Sequence, residues 1–136
     1  MWKLRAISWA LAATVCLAAG GCGYSRVPVR GTVTINGAPM DLGMITFVPE
    51  DSSQTSVGGK VSDGQFYLDA TRGPYPGKYR VQISWAKKTG RKVPNGDGGM
   101  QDETAEGLPA RFNTETELTA SISSWSSNSL DFNLTP

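Results

Sequence analysis

Histidine is absent from all 136 residues, and most nucleophilic catalysis goes with it. Ser-His-Asp and Cys-His systems need an imidazole to take the proton, and a typical zinc site draws on His and several Cys. Only two cysteines occur, Cys16 and Cys22. Paired carboxylates, lysine or a Ser-Lys dyad remain as a narrow route to an enzyme. No G-x-x-x-x-G-K-[ST] or G-x-G-x-x-G stretch is present to cradle phosphate. Asn95-Gly96-Asp97-Gly98-Gly99 has the composition of a calcium loop. Counting from Asn95, however, puts Met100 where the EF-hand frame needs its Gly, and no flanking helices are predicted. It reads as a flexible loop, so neither a metal nor another cofactor is expected. Asp41, Glu50, Asp51 and Asp63 fall in turns, where carboxylates bond neighbouring backbone without any catalytic role.

Aromatic rings are the other groups able to make specific contacts, because a flat apolar ring suits the apolar face of a sugar and recurs at binding surfaces. Tyr79 and Trp85 share the apolar phase of one strand pattern, which predicts that both pack in a core. Tyr67 falls on the opposite phase of its strand. Tyr75 lies in Gly73-Pro74-Tyr75-Pro76-Gly77 and Trp125 in Ser123-Ser124-Trp125-Ser126-Ser127-Asn128, segments with little local apolar cover. These two are the candidate contact residues if exposed. The default expectation is that they fold back as lids over one end of the domain.

The elements that must hold these side chains are strands. Val29, Gly31, Val33 and Ile35 alternate with polar neighbours, and Asn36-Gly37 then supplies a tight hairpin turn. Met44 to Val48 reads as a second strand, and Val57, Gly59 and Val61 as a third. Asp63-Gly64 marks another tight turn, leading to Phe66, Leu68 and Ala70. Tyr79, Val81, Ile83 and Trp85 form the clearest strand; Leu118, Ala120 and Ile122, then Leu130, Phe132 and Leu134, complete the set. About seven short strands with no 3.6-residue rhythm beyond the leader predict an all-β, antiparallel sandwich. Residues 86–109 break the pattern. Lys87, Lys88, Arg91 and Lys92 precede a Gly-rich stretch and then Asp102, Glu103 and Glu106, so the segment is expected to be a long, exposed, poorly ordered loop. Its two charge sets can pair across it, but exposed pairs contribute little.

The first 22 residues carry a different message. Lys3 and Arg5 form a basic head, an apolar run follows over residues 6–19, and Gly20-Gly21-Cys22 ends it. That is the layout of an export signal, and it falls short of the ~20 apolar residues a comfortable bilayer span needs. Ala18-Ala19-Gly20-Gly21-Cys22 resembles a bacterial lipobox, with Ala19 where that family usually has Leu. The resemblance implies a leader over 1–21, a diacylglyceryl group on the Cys22 thiol, an acylated (for example palmitoylated) amino terminus, and a tether over 22–28. Gly23 in place of Asp leans the sorting toward the outer membrane. Two or three acyl chains anchor stably where one does not, because each buried methylene adds about 0.8 kcal/mol. Lys3 and Arg5 are two of 13 basic residues, so without the leader 11 bases face 12 acids, a net of −1. That balance argues against nucleic acid as a partner.

Taken together, Val29-x-Gly31-x-Val33-x-x-Asn36-Gly37, the Phe47-Val48-Pro49 strand end, Asp63-Gly64-x-Phe66 and Pro76-Gly77-x-Tyr79-x-Val81 resemble the carboxypeptidase regulatory-like domain. Pro109-x-Arg111-Phe112-Asn113, Leu118-Thr119 and Leu130-x-Phe132-x-Leu134 resemble the lipid-anchored members found in planctomycete-type bacteria. The similarity covers nearly all of residues 27–135 and is weakest at 86–109. It implies a prealbumin (transthyretin-like) Greek-key sandwich over 29–136 that is non-catalytic and serves as an accessory or adhesive module. The expected role is therefore a membrane-anchored envelope module that binds an envelope protein or polysaccharide. A small carboxylate-based enzyme, or a carbohydrate-associated accessory domain, is the alternative.

Overall fold

The two Asx-Gly turns set the first reversals of the chain. Asn36 and Gly37 sit at φ 50° and 82°, and Asp63 and Gly64 at 51° and 75°, the positive-φ pairs that tight hairpins require. The computed structural model describes residues 24–136; the expected leader, Cys22 and Gly23 lie outside the described residues. Nine strands follow in order: β1 (Val29–Ile35), β2 (Ala38–Pro39), β3 (Leu42–Pro49), β4 (Val57–Ser62), β5 (Gln65–Leu68), β6 (Gly77–Pro94), β7 (Met100–Glu106), β8 (Thr119–Ile122) and β9 (Asn128–Leu134). A short 3-10 turn at Ala110–Phe112 is the single helical piece among the described residues.

The strands form two layers. In one, β1 lies between β5 and β9; in the other, β3 lies between β4 and β6, and β6 also pairs β8. The ladder passes from one layer to the other at the β4–β5 hairpin, where only Ser62 and Gln65 pair. Period-two alternation decides what lies between the layers. Val29, Val33 and Ile35 point inward from β1, Ile45 and Phe47 from β3, Phe66 and Leu68 from β5, Tyr79, Val81 and Ile83 from β6, and Phe132 and Leu134 from β9. The rings of Phe47 and Phe66 meet across the layers at 6.2 Å, and Phe47 meets Tyr79 edge-on within its own layer. Each such buried side chain contributes roughly 1.5–3 kcal/mol of transfer free energy.

Three features depart from the sequence expectation. Nine strands replace about seven, because Ala38–Pro39 adds a two-residue edge pairing to Thr34 and Ile35, and because β7 exists. Pro39 is tolerated there as an edge residue. The pairing is not wholly antiparallel: β1 and β9 run parallel over seven residue pairs, from Val29–Asn128 to Ile35–Leu134. The third concerns residues 86–109, expected as a poorly ordered loop. β6 continues without a break from the sandwich to Pro94, reverses, and pairs with β7 as a two-stranded arm. At ~3.3 Å per residue, residues 86–94 carry it about 25 Å beyond the sandwich.

The layout gives the molecule two distinct ends. β1 begins, β3 ends and β6 begins at the end where residues 24–28, the expected tether, enter, since Pro49 pairs with Tyr79, Gly77 with Ile122, and Val27 bonds Pro74. Trp85 pairs with Gly43 at the other end, and the arm leaves from there.

Candidate functional site

The tether end is built by local turns. Val27 donates its N–H to the Pro74 carbonyl at 2.9 Å, and Arg26 donates to the Gly73 carbonyl at 2.9 Å. A Cβ on Gly73 would lie 1.9 Å from the Val27 carbonyl oxygen, so only glycine lets the tether seat here. The Arg26 guanidinium stacks 4.8 Å over the Tyr75 ring, leaving this candidate contact residue half-buried. The Tyr75 carbonyl accepts from the Tyr79 hydroxyl at 2.7 Å, and burial pushes the Tyr79 phenol above its ordinary pKa.

Trp125 behaves differently from the lid expected of it. It is 95% exposed, the most exposed of the large apolar side chains among the described residues. Its loop has a firm base nonetheless. Buried Asn128 accepts from the Ser123 N–H at 2.9 Å and donates its amide to the Ser123 carbonyl at 2.9 Å, while the Trp125 N–H bonds Ser123 Oγ at 3.1 Å. Its neighbours in the chain, Ser123, Ser124, Ser126 and Ser127, are polar and give the ring no apolar cover. Beneath the loop runs a groove of about 330 Å³, lined by Val27, Pro28, Arg30 and Tyr67 on one side and by Ser123, Ser124, Ser126 and Ser127 on the other. A second groove of about 440 Å³ shares Arg30 and Tyr67 and continues over the outer face of β1, β5 and β9 toward Lys60 and Asp131.

Trp85, expected in the core, packs against it but stays half-buried, at the root of the arm. Its indole N–H donates to Asp41 Oδ1 at 2.7 Å, which holds that carboxyl below the usual range. Glu106 Oε1 accepts from the Trp85 and Leu108 N–H groups at 3.0 and 2.9 Å. Gly107 lies against the ring, where a Cβ would come within 2.4 Å of it. In the arm, residues 89–91 bulge between the pairs Lys88–Thr104 and Lys92–Asp102. Asp102 bridges Lys88 and Lys92 at 3.1 and 2.6 Å, and Glu103 takes two bonds from Arg91 and one from Thr89. Of the charge sets noted in the sequence, Lys88, Arg91 and Lys92 pair with Asp102 and Glu103, and both carboxyls are held low by these donors, while Lys87 lies over the Trp85 ring and Glu106 bonds backbone. At the tip, Asn95 Oδ1 accepts from the Gly99 and Asp97 N–H groups, so this oxygen serves the turn. Among the described residues no group of three or more His, Cys, Asp or Glu could hold a metal ion.

No family model and no curated protein matches this chain. Among solved structures it is similar to a 9R-lipoxygenase from Cyanothece PCC8801, at 13% identity and a TM-score of 0.36. That match covers 82% of this chain and 16% of the lipoxygenase chain, a likeness too low to inform fold or activity. Sequence reasoning missed two parts of the surface, the groove over β1 and the Trp85–Asp41–Glu106 root. Both join residues far apart in the chain, and only the outward phase of Arg30 and Tyr67 hinted at the first.

Proposed function

We propose that this chain is a lipid-anchored, non-catalytic module of the cell envelope, related to the carboxypeptidase regulatory-like domain, that holds its charged arm away from the membrane to meet an envelope protein or polysaccharide. The observation that carries the reading is the polarity of the sandwich. The tether that follows Cys22 is pinned at one end, and the arm leaves from the other. A lipid on Cys22 would therefore place the arm outermost. Asp41, Asp51, Asp69, Asp102 and Glu103 are each held below the ordinary carboxylate range by hydrogen bonds from neighbouring groups, so these five do not suit the role of general acid. A general acid working near neutral pH needs the opposite shift.

Metabolic labelling with an alkynyl fatty acid tests the anchor. The intact chain is expected to take up label and Cys22→Ser to take up none; equal labelling of the two would remove the anchor.

A further inference from the structure

We infer that Trp125 is a second, non-covalent membrane contact, inserting its ring into the interfacial layer of the same bilayer that holds the lipid; this rests on the anchor reading above. Residues 22 and 27 are separated by at most about 18 Å of extended chain. Val27 is fixed against Pro74 and lines the groove whose far wall is the Ser123–Ser127 loop. A lipid at Cys22 thus confines that loop to the neighbourhood of the bilayer surface. The loop itself is shaped for such a surface. A ring left 95% exposed in water is unfavourable there, and the Asn128–Ser123 bonds and the bond from the Trp125 N–H to Ser123 Oγ fix the backbone of the loop that carries it. Tyr67, 65% exposed, lies toward the same end, next to Leu68, the partner of Val29, and Tyr24, 76% exposed, precedes Val27 by three residues. Tryptophan and tyrosine favour the headgroup level, where the ring meets hydrocarbon and the polar atom stays hydrated. Contact at two points would fix the tilt of the sandwich as well as its distance from the membrane.

The test uses the full chain carrying Trp2→Phe and Trp9→Phe, processed in cells and reconstituted into phosphatidylcholine vesicles with brominated acyl chains. Trp85→Phe then leaves Trp125 as the reporter, and Trp125→Phe leaves Trp85 at the far end. Trp125 is expected to shift to the blue and lose most of its emission, while Trp85 keeps its own. Flotation separates the two readings. A chain that floats while Trp125 stays unquenched overturns the contact and leaves the anchor standing; a chain that does not float overturns both. Trp125 emission that ignores the vesicles and responds to a cell-wall oligosaccharide would also overturn the contact, assigning the ring to sugar stacking.

Discussion

Gly31 shows how closely single residues are held. A Cβ there would lie 1.7 Å from the Leu130 carbonyl oxygen and 2.9 Å from the Phe66 ring, so β9 could not approach β1. Because the nearest atom is backbone, it cannot swing aside. Gly31→Ala is expected to cost at least the roughly 1–3 kcal/mol of an overpacked core, read from chemical denaturation. An unchanged midpoint would mean that the parallel β1–β9 pairing is not held this tightly. Tyr75 and Trp125 make the contrasting case. Both are aromatic residues in polar turns, yet one is covered by Arg26 and the other by nothing. Their turns were legible in the sequence; the cover was not, because Arg26 reaches Tyr75 only through the folded tether.

At the scale of elements, the arm is the part whose stability does not come from burial. Its residues are nearly all exposed, and an isolated two-stranded hairpin is marginal in water. Ladder bonds and the Lys88–Asp102–Lys92 and Arg91–Glu103 pairs hold it. The Asp102 and Glu103 carboxyls are shifted down in the folded state. Their contribution is therefore complete above the ordinary carboxylate range and is lost as pH falls through the lowered values. In an NMR titration, Asp102 and Glu103 should titrate below free carboxyls, and the arm's strand shifts should weaken modestly with them while Val81 stays unmoved. Midpoints at the ordinary values would discard the ion-pair account. Replacing residues 88–105 with a short Gly-Ser turn keeps Glu106, Gly107 and Trp85 at the root. The thermal midpoint of the sandwich is then expected to stay nearly unchanged, and a large drop would show that the arm supports the core.

For the whole molecule, stability rests on one core spanning both layers, centred on Phe47, Phe66 and Tyr79. Phe47→Ala removes the ring that bridges the layers and is expected to cost about 3–5 kcal/mol. Against a typical domain stability of about 5–15 kcal/mol this is a large share, so unfolding should begin well below the original temperature in calorimetry. The sequence by itself determined the strands with a buried face, the two Asx-Gly turns and the inward phase of nearly every core residue. Period-two alternation is a direct consequence of one side facing oil and the other water, and positive φ is written into Asn-Gly and Asp-Gly. Tertiary structure alone decided the rest. The arm has no buried face, so no hydrophobic alternation announces it. The parallel β1–β9 pair joins segments about a hundred residues apart, bonded side chain to side chain by Thr32 to Asp131 and Thr34 to Asn133. The β1–β9 pairing puts Trp125 at the end where the chain enters the sandwich, and the β3–β6 pairing puts the arm at the other, long-range choices that no local pattern encodes.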